Sequence, residues 1–149
     1  MCSYCGCENI EVVGRFMREH TEIINASGVL RAACDAGSQD AIAAAAAEVA
    51  RLFAPHSAAE EAGIFTVMAE DPEFTDYVTR LCSEHEQLDA HLATIVAAAD
   101  DANRHAAYEE FEHLLRGHID REDNSLFPAA AVAFAGPEWE RVAALTPDA

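Results

Sequence analysis

The sequence predicts an all-α protein: an up-down-up-down antiparallel four-helix bundle with a short C-terminal helical tail. Three observations predict it. Alanine supplies 32 of the 149 residues, and alanine loses least on entering a helix. Four long segments place apolar residues at helical spacing, and no stretch alternates as a strand would. Short turn signals separate the segments, and short connections make neighbouring helices antiparallel.

The first segment runs from about Ile10 to Cys34 and ends at Asp35-Ala36-Gly37-Ser38. The second starts near Ser38 or Asp40 and continues to about Met68. It contains Pro55, which is expected to kink it or force a break one turn before His56. After Asp71-Pro72 a third segment runs from about Glu73 to Ala99, and Asp100-Asp101-Ala102-Asn103 forms the next turn. The fourth begins near Arg104 and reaches about Ala133, with Pro128 bending or ending it. Gly136-Pro137 then opens a tail around Trp139. The domain reading is a cysteine-containing segment over 1–9, the bundle over 10–134 and the tail over 135–149.

Charge narrows the partners. Twenty-seven acidic residues against nine arginines and no lysine give −18. Such a chain repels phosphate backbones and anionic lipid, so neither nucleic acid nor a membrane is expected as a partner. The same repulsion favours a monomer. No apolar stretch reaches the roughly 18 residues that span a bilayer, and the opening MCSYCGCENIE does not read as a signal peptide. A cytoplasmic protein is expected. Five cysteines, an odd number, argue there against a disulfide framework. Cys2, Cys5 and Cys7 form a close cluster that can bind metal, carry redox chemistry or simply lie at a frayed terminus. Cys34 and Cys82 read as small core residues.

Seven histidines in so acidic a chain stand out, and their positions repeat. His56-Ser-Ala-Ala-Glu60-Glu61-Ala-Gly-Ile64-Phe65 aligns with His118-Ile-Asp-Arg-Glu122-Asp123-Asn-Ser-Leu126-Phe127, offset by 62 residues. Glu19-His20-x-x-Ile23 aligns with Glu84-His85-x-x-Leu88, offset by 65. Two helix pairs related by a pseudo-twofold axis account for both matches. Residues three, four and seven apart share a helix face. On that count His20, His56, His85 and His118, with Glu60 and Glu122, all lie on apolar, core-facing stripes. A single buried His is ordinarily a core imidazole bonded to a carbonyl. Four of them with two buried carboxylates call for a cation. Imidazoles with carboxylates suit iron, manganese or zinc better than calcium or magnesium. Six ligands suit two metals, each taking two histidines and sharing both glutamates, with positions left for a bridging oxygen and an exogenous ligand.

His91, His105 and His113 fall off these stripes and read as surface residues. Asp89, one turn after His85, is either an extra ligand or an acceptor for a ligand N–H. Tyr77 and Tyr108 are near enough in phase to approach the ligands, with core packing as the alternative. Glu61 and Asp123 are expected to be solvated or to orient neighbours.

This arrangement resembles the hemerythrin-like (HHE cation-binding) family of four-helix bundles. Those carry a His on the first helix, HxxxE on the second, His on the third and HxxxE or HxxxD on the fourth. The match runs from about Ile10 to Pro128. Ferritin-type bundles use Glu-x-x-His instead. Oxygen-carrying hemerythrins have a second His one turn along the third helix, where this chain has Asp89. The four-His, two-Glu set is more similar to the repair-of-iron-centres proteins and hemerythrin-like iron sensors. The resemblance implies two iron ions in an oxo- or hydroxo-bridged centre that binds or reacts with O2, NO or peroxide. Sensing, detoxification and iron-centre repair are all compatible with it, as is a redox or iron-accepting protein partner. An iron-storage or iron-sensing interaction module without turnover is the alternative.

Overall fold

A computed structural model describes residues 6–149. Among them are five helices. The first, α1, spans Glu11–Ala36. The second, α2, spans Gln39–Glu60 and continues through a wide π turn, Glu61–Phe65, into Thr66–Met68. The third, α3, spans Thr75–Ala97. The fourth, α4, spans Asp101–Arg121 and continues through a second π turn, Glu122–Leu126, into Phe127–Ala133. The last, α5, spans Gly136–Leu145. A short 3-10 turn, Cys7–Asn9, precedes α1. No strand occurs among the described residues, and no described helix is long and apolar enough to cross a membrane.

Local chemistry sets the ends. Gly37 closes α1 at φ 73, in the left-handed region, and its N–H returns to the Ala33 and Cys34 carbonyls. That conformation suits glycine, which has no Cβ to clash. Ser38 and Asp100 cap α2 and α4: Ser38 Oγ accepts from the Ala41 N–H, and Asp100 Oδ1 from the Asn103 N–H at 2.8 Å. Each cap satisfies a donor that the helix itself leaves open. Glu138 Oε2 likewise accepts from the Ala135 N–H ahead of α5.

Pro55 does not break α2, so of the two outcomes expected of it the break does not occur. It lies on the exposed face with Arg51 one turn before it. The bond lost at its missing N–H is therefore on the side where water can take the carbonyl. Pro128 likewise sits within the first two residues of the segment that follows the second π turn.

The helices pair as α1 with α2 and α3 with α4, closed by α2 against α3 and α1 against α4. The apolar core divides into two layers. One holds Ile23, Leu30, Phe53, Leu88, Phe111 and Leu115. The other holds Phe16, Ile64, Phe65, Leu81, Leu126 and Phe127. On every helix of the bundle the division falls at a histidine or glutamate of the repeat: His20, His56 to Glu60, His85, and His118 to Glu122. A polar layer thus crosses the bundle between two apolar ones. Cys34 is buried and Cys82 half-buried, both as free thiols. Cys7 is 1% exposed and disulfide-bonded. Cys2 and Cys5 lie outside the described residues.

Candidate metal centre

Helical phase brings six side chains to one layer, and the structure places all six there. His20, His56, His85 and His118 are buried, and Glu60 and Glu122 have no exposure at all. Helical spacing sets the two His-Glu pairs: His118 Nε2 lies 2.8 Å from Glu122 Oε1, and His56 Nε2 lies 3.2 Å from Glu60 Oε1. The other two histidines close the layer from neighbouring helices. His85 Nε2 is 3.3 Å from Glu60 Oε2, and His20 Nε2 is 3.5 Å from both Glu60 Oε1 and Glu122 Oε1.

Donor atoms of His20, His56, Glu60 and Glu122 all lie within 4.8 Å of one another, as do those of Glu60, His85, His118 and Glu122. The two groups share both glutamates and nothing else. Among the described residues nine buried side-chain N or O atoms lack a hydrogen-bond partner. Seven of them are here: both oxygens of Glu60 and of Glu122, and the Nε2 of His20, His85 and His118. An unmade bond at a buried polar atom costs about 1–3 kcal/mol, and more when the atom is charged. Cations held among these seven atoms would relieve them together. The donor set, two imidazoles and two carboxylates in each group, fits a transition metal.

The outer nitrogens are already occupied. His20 Nδ1 lies 2.8 Å from Asp123 Oδ1, His56 Nδ1 2.7 Å from Glu19 Oε2, His85 Nδ1 2.8 Å from Glu61 Oε1, and His118 Nδ1 2.8 Å from Glu84 Oε2. Glu61 and Asp123 therefore orient neighbours, one of the two roles expected for them. Glu19 and Glu84 are residues the sequence reading missed. Their signal was present, because each directly precedes a histidine in the Glu-His repeat. The phenylalanines that close the long repeat also have a role: Phe65 stacks on His85 and Phe127 on His20, with interplanar angles of 8°.

Charge follows from this packing. Burial alone would push the Glu60 carboxyl up, but the imidazoles of His56, His20 and His85 hold it well below the usual range. Burial alone would lower the imidazoles, and the carboxylates reverse that, leaving His56 and His85 at about 9. Cys82 goes the other way. Burial and the charges of Glu61, Glu60 and Glu122 push its thiol up to about 11.

Other candidates fall outside the layer. Asp89 is exposed and belongs to neither group, and Glu61 holds the Nδ1 of His85 in its stead. Tyr77 donates to the Arg121 carbonyl at 3.2 Å and Tyr108 to the Ser27 carbonyl at 2.9 Å, so the packing alternative holds for both. His105 and His113 are exposed and His91 is half-buried, and none joins either group.

Comparison with known proteins returns one family. The model of the hemerythrin HHE cation-binding domain matches residues 11–130. No curated protein and no solved structure matches the chain.

Proposed function

Since the chain belongs to the hemerythrin HHE cation-binding family, we propose that it is a non-haem di-iron protein that binds or reacts with O2, NO or peroxide. His20 and His56 would hold one iron and His85 and His118 the other, with Glu60 and Glu122 belonging to both donor groups. The observation that supports this reading is the set of seven partnerless donor atoms enclosed between two apolar layers. When bound, a ferrous pair supplies electrons and open coordination positions to a small ligand.

The chain's own residues do the rest. Phe16, Phe53, Phe65 and Phe127 pack against the imidazoles and keep bulk water away. The two glutamates balance positive charge inside the bundle. The outer carboxylates accept the Nδ1 protons and leave each Nε2 to face inward. Sensing, detoxification and delivery of iron to damaged centres all begin from such a site. The test is the absorption spectrum of chain loaded anaerobically with Fe(II), recorded before and after air, NO or hydrogen peroxide. A change absent from the zinc-loaded chain is expected, and catalytic consumption of NO or peroxide marks an enzyme. An iron-loaded spectrum that none of the three alters overturns the reading.

A second reading, an iron-sensing module without turnover, draws on α5. This helix packs against the π turn that follows Glu60, with Val142 fully buried. Trp139, the single tryptophan, lies on it. An iron-dependent change in tryptophan fluorescence, without consumption of NO or peroxide, favours that reading.

A further inference from the structure

The four carboxylates at the Nδ1 atoms form a closed circuit. Glu19 of α1 takes His56 of α2, and Glu61 of α2 takes His85 of α3. Glu84 of α3 takes His118 of α4, and Asp123 of α4 takes His20 of α1. Every helix of the bundle thus gives one carboxylate to the histidine of the next, and the fourth returns to the first. Two of these carboxylates are themselves held from outside. Arg15 Nε donates to Glu19 Oε1 at 2.7 Å, and Arg121 Nη2 lies 2.8 Å from Glu84 Oε1.

A neutral imidazole carries one N–H and one lone pair, and an acceptor at one nitrogen decides which is which. A carboxylate at Nδ1 keeps the proton there and turns the Nε2 lone pair inward. It also raises the basicity of that lone pair. Two links have a further consequence. Glu61 lies on the helix of His56 but serves His85, and Asp123 lies on the helix of His118 but serves His20. Each π turn therefore begins at or directly after a shared glutamate and carries a carboxylate for a histidine of the other group.

We propose that Glu19, Glu61, Glu84 and Asp123 are positioning residues for the metal pair, and that Glu61 and Asp123 each act across it, on the metal held by the neighbouring helix. The proposal rests on the di-metal reading. It predicts that losing Glu61 weakens the metal at His85 and His118 and leaves the metal at His56 intact, whereas local damage to α2 would do the reverse.

Co(II) alone serves as the probe, titrated into the metal-free full chain against a chelator, with proton NMR of the loaded form. Wild type is expected to take two Co(II) and to show four exchangeable, hyperfine-shifted imidazole N–H signals. Glu61→Ala is expected to weaken one Co(II) by about 10–100-fold and to lose one of the four signals, that of His85. Glu61→Gln, which keeps an acceptor without the charge, is expected to keep the signal with a smaller loss of affinity. If Glu61→Ala does not fold, Glu61→Gln carries the test through the affinity readout, and wild-type affinity for both Co(II) in that variant overturns the proposal. Two Co(II) bound at wild-type affinity with four signals in Glu61→Ala overturns the proposal, and so does loss of the His56 signal instead. Wild type that binds no Co(II) overturns the di-metal reading as well, which separates the two failures.

Discussion

In the metal-free protein the buried imidazoles take their charge from the carboxylates around them. Burial alone would lower His56, but Glu60 and the bond to Glu19 raise it to about 9; for His85, Glu60, Glu122 and Glu61 do the same. A metal needs the neutral ring, so loading at neutral pH must expel those protons. Metal binding is therefore expected to release protons at pH 7.5, and apparent affinity to rise with pH up to about 9. Calorimetry in buffers of different ionisation enthalpy measures the release, and none at pH 7.5 contradicts the account. Stability follows the same sign. A histidine raised from 6.5 to about 9 stabilises the metal-free fold fully below 6.5, and loses that contribution as pH climbs through 9. The melting temperature of metal-free protein should thus fall between pH 7 and 9, while that of loaded protein does not follow it. At this scale the sequence is generous with ligands and sparing with their partners. Helical phase brings His20, His56, Glu60, His85, His118 and Glu122 to the layer, because phase is a property of one helix. The pairing of Glu19 with His56, or Glu84 with His118, depends on how neighbouring helices are set against each other. No single-helix pattern carries that.

The elements show where helical regularity yields to the site. Both π turns begin at or directly after the glutamate of an HxxxE motif, over Glu61–Phe65 and Glu122–Leu126. A π turn is rare and tends to occur at functional sites. Consecutive residues on an α-helix point about 100° apart. Here Glu60 faces the shared layer while Glu61 reaches the outer nitrogen of His85, and Glu122 and Asp123 repeat the arrangement for His20. The repeat H-x-x-x-E-[ED] contains that pair of carboxylates, but nothing in its apolar spacing announces the wider turn. Pro55 leaves α2 continuous, and the wider turn lies beyond His56. The first π turn also seats α5. A Cβ added at Gly63 would overlap Thr146 Oγ1 and approach the Val142 carbonyl to 3.4 Å. Gly63→Ala is therefore expected to displace α5 and cost about 1–3 kcal/mol, a drop of several degrees in Tm for a chain of this size. Thr146→Ala in the same chain should recover part of the loss. Thermal denaturation of both variants measures it, and an unchanged Tm in Gly63→Ala contradicts this packing.

Across the whole molecule, a bundle with two apolar layers and a charged one between them is held together unevenly. Without metal, the central layer buries two carboxylates with only the neighbouring imidazoles to offset their desolvation, which costs several kcal/mol per ion after relaxation. A ligand that binds only the folded state stabilises it in proportion to the logarithm of its excess. Metal loading should raise Tm substantially, and a chelator should reverse the gain without touching the apolar layers. The all-α class and the order of the bundle were legible in the sequence because alanine content, apolar stripes and turn residues all agree. The docking of α5 was not, since Gly63 and Thr146 are separated by most of the chain and meet only in the fold. The −18 charge divides accordingly: Glu60 and Glu122 belong to the interior, and most of the rest coat the surface. The central claim is that these two glutamates and four histidines hold a pair of metals. Elemental analysis of chain loaded anaerobically with Fe(II), beside His118→Ala treated identically, tests it most directly. The account predicts two irons per wild-type chain and one in His118→Ala. One iron per wild-type chain, or two in the variant, would contradict it.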